Sequence, residues 1–442
     1  MKKTYDVAIA GAGVAGCLIA RNIAKAGYSV AVLEKCKREA MGHDWWDTVE
    51  ARVFEETEVP PPPPDEIKGA FNFLLYSPLS CVNISANMPP THLNLDRKSL
   101  AKRMIDLAEE AGADLFFNTT VLGPLMEEEM VAGVRYSRGE ERGEIAAKIS
   151  VDASGMDGIL RSAVPEKFGF ANKLRKDETI LAYREIREDL TNGKGKSILV
   201  LGKYDGVQWV SRDTPGLVDI NVCILASYPG GDPRKILNEI IEQEGGIGDK
   251  VVRGGKGGRI PLRNSFDSFV APGLVIVGDA ASMPNPLNGS GISSSMRAAK
   301  FASAAMTTAL KAGKNDVASL WQYNVDYKLN QDCKYINLYV LQKYIFAEER
   351  IYLDKIMKSG AFEIDWDMEN KLAPKDNLKK LPGFLKLIRY PRFFLRLLKT
   401  LYLSDAAGRH VKKYPKQFDA DEFEKWRAGL ESILRKIPFN QK

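Results

Sequence analysis

The chain has 442 residues, of which 45% are hydrophobic and 27% are charged, and its formal net charge is +6. This is the composition of a globular protein with room for two or three domains, and so modest a charge does not suggest nucleic-acid binding. The five cysteines are scattered without a CxxC pair, and there are three histidines. We therefore expect a cytoplasmic protein with neither a disulfide framework nor a bound metal. Because no apolar run reaches about 18 residues, we expect no membrane-spanning helix.

A Gly-rich turn between two predicted strands stands at the start of the chain. The apolar run Val7–Ala10 predicts a buried strand, Val14–Lys25 has a helical pattern, and Val30–Leu33 predicts a second strand that ends at Glu34. The turn itself carries three glycines at G-x-G-x-x-G spacing, which are Gly11, Gly13 and Gly16. In such a turn the second glycine lets backbone approach a pyrophosphate, and the acid after the second strand binds a ribose diol. The stretch predicts a Rossmann-like dinucleotide-binding unit.

Further strands and helices follow in the next part of the chain. The apolar period over Leu95–Gly112 predicts an amphipathic helix. Short apolar runs predict strands at Phe71–Leu75, Val82–Ala86, Ala113–Phe117 and Val131–Tyr136. From Thr179 to about Tyr228, strand patterns alternate with few helix signals, which predicts a separate antiparallel sheet.

The last third of the chain changes from a strand to helices. Leu274–Ala281 predicts a strand ending at Asp279, and a long helix starts near Ile292. From Trp321 onward the pattern is largely helical. Within this part Asn377–Tyr402 carries seven Lys or Arg and no acid, interleaved with Leu, Ile and Phe. Either this stretch docks on anionic lipid headgroups or its helices pack on the body with basic faces in water.

Three separated motifs resemble the flavoprotein superfamily of p-hydroxybenzoate hydroxylase and glutathione reductase. They are the Gly-rich start with Glu34, the sequence DASG at Asp152–Gly155 with Arg161, and GDAA followed by PNPLNGSGI over Gly278–Ile292. Within that superfamily the chain is similar to the geranylgeranyl reductases, especially the archaeal digeranylgeranylglycerophospholipid reductases. The similarity covers nearly the whole chain and includes DRKSLAKRMIDLAEEAGA, NPLNGSGISSSM and LYLSDAAGRHVKKYP.

Pattern and resemblance together imply an α/β fold with three parts. The FAD-binding Rossmann-like domain would comprise residues 1–59, 94–163 and 265–325. The antiparallel-sheet substrate domain would comprise 60–93 and 164–264, and a helical C-terminal domain would comprise 326–442.

The resemblance also implies the FAD contacts. Glu34 would bind the adenosine ribose, Arg97 a phosphate and Asp279 the ribitol, while Gly291 and Ile292 would present backbone N–H groups to the flavin. The complete set expected at FAD is Gly11, Gly13, Ala15, Gly16, Glu34, Lys35, Trp45, Trp46, Thr48, Arg97, Val121, Asp279, Gly289, Gly291 and Ile292.

The substrate side departs from the family pattern. Where relatives commonly carry Cys-Gly, this chain has Trp45 and Trp46, and the YxWxFP stretch survives only as GVQWVSR, with Trp209 as its tryptophan. Trp45 and Trp46 would stack on the flavin or wall the substrate site, or simply pack in the core. Trp209 and Asn288 would line the substrate pocket. In the alternative, Trp209 packs in the sheet and Asn288 shapes its loop through side-chain to backbone hydrogen bonds.

Reduction of a double bond by hydride also requires a proton, for which His43 and Asp44 are the candidate general acids, directly or through water. In the alternative interpretation His43 is solvent-exposed and Asp47 caps a helix over Asp47–Phe54.

The function that the resemblance implies is FAD-dependent reduction of carbon–carbon double bonds in a geranylgeranyl-type chain of a membrane lipid. Hydride would come from N5 of reduced flavin, and NAD(P)H, ferredoxin or another external donor would reduce the flavin. An apolar cavity beside the flavin, reached from the membrane surface through peripheral contact of 377–402, would hold the chain. The alternatives are an FAD-dependent monooxygenase acting on a small or aromatic substrate, a flavin halogenase, disfavoured because WxWxIP is missing, and a non-enzymatic FAD-bound scaffold.

Overall fold

The structure, a computed structural model, describes residues 3–77, 79, 82–170, 173–362, 366 and 380–437. In chain order its strands are Thr4–Ala10 (β1), Val30–Leu33 (β2), Trp46–Glu50 (β3), Phe73–Tyr76 (β4), Asn83–Ala86 (β5), His92–Asp96 (β6), Asp114–Phe116 (β7), Thr120–Glu127 (β8), Met130–Arg138 (β9), Glu141–Asp152 (β10), Thr179–Asp189 (β11), Ile198–Leu201 (β12), Gly206–Ser211 (β13), Leu217–Leu225 (β14), Ile247–Pro261 (β15), Val270–Ala271 (β16) and Leu274–Ile276 (β17). Its α-helices are Val14–Lys25 (α1), Arg52–Glu56 (α2), Arg97–Glu110 (α3), Pro233–Glu244 (α4), Ile292–Lys311 (α5), Val317–Tyr327 (α6), Cys333–Ala347 (α7), Arg350–Ser359 (α8), Leu381–Lys386 (α9), Pro391–Val411 (α10) and Ala420–Leu434 (α11).

The larger of two main sheets carries the Gly-rich turn. In the described residues it has eight strands, and β7, β2, β1, β10 and β17 run parallel in that order. All four residues of β2 are buried, as expected where both faces of a parallel sheet are covered. Helices α1 and α5 pack on the sheet through an alanine-rich contact that includes Ala20, Ala299 and Ala302, all without exposed surface. This sheet places the carboxyl ends of β1, β2 and β17 at one edge.

The second sheet has seven described strands in the order β15, β11, β14, β13, β12, β4 and β5. Its neighbours are antiparallel except β12 and β4, which run parallel, so the predicted antiparallel sheet has one parallel pair. Alternate residues of β14, including Val218, Ile220 and Val222, pack with Ile236 and Leu237 of α4 into a separate small core. The opposite face of this sheet turns toward the Gly-rich edge of the first.

Two predicted elements differ at their bounds, because a short strand precedes one of them and a 3₁₀ turn ends the other. Leu95 and Asp96 belong to β6, and α3 begins at Arg97 because the Asp96 side chain accepts hydrogen bonds from the N–H groups of Lys98 and Ser99. The third motif leaves its strand after Ile276, and Gly278–Ala281 forms a 3₁₀ turn instead of more strand. The mixed architecture nonetheless confirms the predicted α/β class with a helical C-terminal part.

A two-stranded ribbon of β3 and β6 corrects one alternative. The predicted helix over Asp47–Phe54 is wrong, because Trp46–Glu50 is a strand paired antiparallel with His92–Asp96, and α2 starts only at Arg52. Asp47 therefore caps no helix. Its side chain instead points toward cations, as described below.

The C-terminal helices share their core with the first sheet. Tyr323, Tyr327, Ile336 and Trp426 belong to the same buried cluster as the strands of that sheet. A π-helical turn, Lys328–Asp332, lies between α6 and α7. Its first and last residues, Lys328 and Asp332, form an ion pair with a nitrogen–oxygen distance of 2.8 Å. Both residues are almost completely buried. In the described part of the chain no helix is both long and apolar enough to span a bilayer.

The buried Lys328–Asp332 pair gives the first testable prediction. The Lys328 ammonium also donates to the Ser265 hydroxyl at 3.1 Å and to the Phe266 carbonyl at 2.5 Å, so it cannot move to water without breaking this site. We expect Asp332→Ala to lower the free energy of unfolding by about 3–5 kcal/mol, because it leaves a buried charge unpaired. The double variant Lys328→Met/Asp332→Leu should lose much less free energy of unfolding, because it removes both charges of the pair. Urea unfolding of the FAD-saturated proteins measures both, and equal losses would contradict this account.

Candidate functional site

The three glycines of the first turn meet three different surroundings. A Cβ on Gly11 would lie 2.4 Å from the Ala153 carbonyl oxygen, and one on Gly16 would lie 2.1 Å from the Gly11 oxygen. A Cβ on Gly13 would meet nothing within 4 Å. Gly11 and Gly16 are therefore required for close packing, whereas Gly13 leaves free space at the N-terminus of α1. That space is where a phosphate would meet unpaired N–H groups.

Glu34 closes the same edge. Its carboxylate accepts hydrogen bonds from the Ala12 N–H at 3.0 Å and the Cys36 N–H at 2.8 Å, and the residue is 8% exposed. These bonds hold the acid against the glycine turn with oxygen lone pairs left over for a ribose diol. Its backbone also pairs with that of Thr119, which brings β8 and Val121 beside it.

The DASG motif serves mainly to support this turn. The Asp152 carboxylate accepts bonds from the N–H groups of Ser154, Leu160 and Arg161 at 3.1, 2.8 and 2.8 Å and from the Ser154 hydroxyl at 2.6 Å. The Ala153 N–H donates to the Ala10 carbonyl at 3.0 Å. The motif thus fixes the backbone on which Gly11 packs.

The third motif brings Asp279 and the start of α5 to the same edge. A Cβ on Gly278 would lie 3.9 Å from the Ala15 Cβ, and one on Gly291 would lie 3.6 Å from Asp279 Oδ1. Within the described residues the Asp279 carboxylate accepts no hydrogen bond from the protein. Its burial raises its pKa to about 6, against an opposing effect of Arg97. A partly buried carboxylate without a partner fits a ligand hydroxyl.

The geometry of this groove fits FAD. Gly13 and α1 would hold the pyrophosphate, Glu34 the ribose and Asp279 the ribitol. Gly291 and Ile292, at the N-terminus of α5, would face the flavin. Gly289 has a φ of +76° and shapes the loop before α5.

Four expected site residues have other contacts. Arg97 lies at the start of α3 with its guanidinium 2.6 Å from Asp47 Oδ2, and Lys35 pairs with Asp157 at 3.0 Å. Thr48 lies in the ribbon opposite Asn94. Asn288 is exposed, and its side chain accepts a bond from the Ser290 N–H at 2.9 Å, which shapes the loop.

Arg184 of β11, which sequence reasoning missed, joins the second sheet to the tryptophan segment. Its buried guanidinium donates to both Asp219 oxygens at 2.8 and 2.5 Å, to Asp47 Oδ1 at 2.9 Å and to the Trp46 carbonyl at 2.9 Å. It also lies 5.6 Å from the Trp45 ring and 5.1 Å from the Trp209 ring. The structure thus brings the predicted Trp45, Trp46 and Trp209 together around one cation.

His43 and Asp44 lie in this region, where their surroundings favour the neutral imidazole and the ionised carboxylate. The His43 ring stacks on Trp45 at 4.4 Å. Although the residue is exposed, desolvation of the ring and then repulsion by Arg97 lower its pKa to about 4. For Asp44, burial would raise the pKa, but hydrogen bonding and charge from Arg253 outweigh it and hold the pKa below its usual range. Neither group is therefore set up as a general acid.

Trp209 extends this aromatic region away from the cofactor groove. Its ring contacts Phe71 at 5.7 Å, Phe71 contacts Phe73 at 5.0 Å, and Phe73 contacts Trp366 at 6.2 Å. Two cavities lie elsewhere, one of about 210 Å³ beside Arg263 and Arg427 and one beside Met130. The apolar cavity expected beside the flavin stays a prediction.

Comparisons with known proteins agree with this geometry. A family model for FAD dependent oxidoreductases matches residues 6–48. The digeranylgeranylglycerophospholipid reductase of Sulfolobus acidocaldarius is 23% identical over 384 residues, which is 85% of this chain and 82% of the relative. The corresponding reductase of Methanocella arvoryzae is 26% identical over 337 residues, 74% of this chain and 83% of the relative.

Solved structures agree in fold. A geranylgeranyl bacteriochlorophyll reductase-like protein from Thermoplasma acidophilum superimposes with a TM-score of 0.76 at 20% identity, covering 90% of this chain and 99% of that protein. The predicted resemblance to digeranylgeranylglycerophospholipid reductases is confirmed, and the chain is an FAD-dependent oxidoreductase.

The open space at Gly13 gives a second prediction. We expect Gly13→Ala to fold normally but to bind FAD about ten- to hundredfold more weakly, because its methyl group displaces a phosphate from a backbone N–H. Gly11→Ala is the matched comparison, and its clash with Ala153 should lower stability as well. FAD titration and thermal unfolding of the flavin-free proteins separate the two effects. Unchanged FAD affinity in Gly13→Ala would place the pyrophosphate elsewhere.

Asp279 gives a third prediction, with opposite effects on stability and binding. The pKa of Asp279 is about 6 in the folded protein and 3.8 in the unfolded chain, so ionisation of this carboxyl opposes folding. The destabilisation of the flavin-free protein is complete above about pH 6 and absent below pH 3.8, where the carboxyl is protonated in both states. Asp279→Asn should therefore stabilise that protein at pH 8, by on the order of 1–3 kcal/mol, and by less as the pH falls toward 4. The same substitution should weaken FAD binding roughly tenfold or more. Loss of stability at pH 8 would show that the carboxylate has a structural partner.

Proposed function

We propose that this flavoenzyme saturates carbon–carbon double bonds in a geranylgeranyl-type chain carried by a membrane lipid. The observation that carries the proposal is the length of its similarity to digeranylgeranylglycerophospholipid reductases, which reaches 85% of this chain. A match of that length extends beyond the cofactor-binding segments into the second sheet. Fold alone does not separate a reductase from a monooxygenase or a halogenase, because these chemistries share one architecture.

The aromatic groups around Arg184 would suit an apolar substrate beside the flavin. The Trp45 and Trp209 rings both lie within 6 Å of the Arg184 guanidinium, at 5.6 and 5.1 Å, and Trp46 is buried. A hydrocarbon chain offers few polar atoms to bind, so rings and shape must position it. Phe71 and Phe73 would continue this apolar surface from Trp209 to the sheet edge.

Bound FAD would supply the hydride from N5 of its reduced form, after reduction by an external electron donor. The proton for the other carbon would come from water, because the surroundings of His43 and Asp44 favour the neutral imidazole and the ionised carboxylate. A neutral imidazole at His43 can orient such a water by a hydrogen bond. Each of the three arginines here is already paired with aspartates, so their charge is balanced within the protein; they are Arg97, Arg184 and Arg253. The backbone N–H groups at the start of α5 would instead favour the anionic reduced flavin.

Anaerobic turnover tests the function. FAD-loaded protein, reduced with dithionite and mixed with digeranylgeranylglycerophospholipid, should return oxidised flavin and a lipid heavier by one H₂ per reduced bond. The fully saturated lipid is the matched control and should leave the flavin reduced. Mass spectrometry and flavin absorbance measure the two products. Unchanged lipid, with flavin that reoxidises only when oxygen and an aromatic substrate are added, would favour a monooxygenase instead.

A further inference from the structure

Large apolar side chains stand exposed on one surface of the C-terminal helices. The surface, which we call the docking face, consists of α9, the turn after it and the first half of α10. Six of its large apolar residues are between 43% and 66% exposed, namely Leu381, Leu385, Ile388, Leu395, Leu398 and Tyr402. Soluble surfaces carry single exposed apolar residues, but six on two consecutive helices and the turn between them exceed such isolated exposure and indicate an interaction site.

The same helices are already packed on their other side. Leu387, Phe393 and Leu397 are buried in a local core with Tyr344, and Tyr352 stacks on Phe393 at 4.6 Å. On α10 the exposed Leu395, Leu398 and Tyr402 follow a spacing of three and four residues, which places them along one helix face. The helix is thus apolar on two sides, and among the described residues only the side facing Tyr344 is covered.

Positive charge surrounds the docking face. Arg389, Arg392 and Lys399 are exposed, and within the described residues they form no ion pair. No acid occurs between Lys380 and Ser404, although the next turn of α10 already has the pair Asp405 and Arg409. The arrangement of unpaired cations beside exposed Leu, Ile and Tyr complements a layer of phosphate groups above hydrocarbon. Residues 377–379 of the basic stretch predicted from the sequence lie outside the described residues.

The docking face connects to the substrate side of the fold. Helix α8 packs beneath it, since the Lys386 ammonium donates to the Ser359 carbonyl at 3.3 Å. The Asp354 side chain of α8 in turn accepts a bond from the Leu79 N–H, at 3.4 Å, in the β4–β5 connection. That hairpin carries Phe73, one member of the aromatic series that leads to Trp209.

We propose that the docking face binds the surface of a bilayer that contains anionic phospholipid. Its apolar side chains would enter the boundary between headgroups and acyl chains, while its cations pair with phosphates. This proposal rests on the proposed function, because a substrate carried by a membrane lipid is what would bring the enzyme to a bilayer. Because bilayer binding needs neither reduced flavin nor turnover, the two can fail separately.

Co-sedimentation of the FAD-loaded full chain tests the proposal. The probes are vesicles of phosphatidylcholine alone and of phosphatidylcholine mixed with phosphatidylglycerol, at low and high salt. We expect binding to the mixed vesicles that weakens with salt. Arg389→Ala/Arg392→Ala/Lys399→Ala should bind about five-fold more weakly per charge removed, on the order of 100-fold in total. Leu395→Ser/Leu398→Ser/Tyr402→Ser, which keeps every charge, should also lose binding.

Matched controls keep the result specific to this surface. Lys250→Ala/Lys311→Ala/Lys314→Ala removes the same charge from exposed positions elsewhere, and Leu122→Ser/Leu190→Ser removes exposed apolar residues elsewhere. Both should bind vesicles as the parent does. Thermal unfolding and FAD absorbance verify that each variant is folded. Equal vesicle binding by the docking-face variants and the control variants would overturn the proposal. It would also be overturned if the parent does not bind vesicles but forms a dimer that the serine variant does not form.

Discussion

The buried guanidinium of Arg184 is the interaction on which the arrangement of the site depends. It extends from the second sheet and bonds to Asp219 of its own sheet and to Asp47 and the Trp46 carbonyl of the tryptophan segment. A charge this far from water is costly unless it is fully paired, so the two parts of the fold can meet in only a few geometries. Asp47 also bonds to Arg97 at the start of α3. One carboxylate therefore aligns the second sheet with the helix that borders the cofactor groove.

The cofactor groove could be predicted from sequence because its parts depend on local rules. Glycine spacing, short buried strands and an acid after β2 each have a narrow physical meaning, and the structure brings Gly13, Glu34 and Asp279 to one edge. The tryptophan segment could not be predicted in this way. Asp47 was the alternative cap of a helix over Asp47–Phe54, yet strand pairing with β6 prevailed. Arg184 was missed because its partner Asp47 lies 137 residues away, and within TILAYREI it has the pattern of an exposed strand residue.

The proposed acid residues show a related limit of sequence reasoning. His43 and Asp44 are residue types that carry protons, but their charges follow from neighbours that only the fold supplies. Arg97, Arg184 and Arg253 come from three separate elements, and together they favour the deprotonated forms of both groups. The same cations are each paired with aspartates, so they fix the geometry of this region without leaving an excess of positive charge. Aromatic rings surround them where, in the proposed function, an apolar chain would lie.

The role of Arg184 as a positioning residue is tested most directly by the rate at which reduced, enzyme-bound flavin is reoxidised by the prenyl lipid without oxygen. Stopped-flow absorbance measures this rate for the parent and for Arg184→Met and Arg184→Lys, alongside FAD affinity. We predict that Arg184→Met slows flavin reoxidation by at least about 100-fold while FAD affinity changes little. Even a small displacement of the reacting groups lowers the rate by about that factor. Arg184→Lys should recover part of the rate. An unchanged rate, or a loss of FAD affinity as large as the loss of rate, would contradict this account.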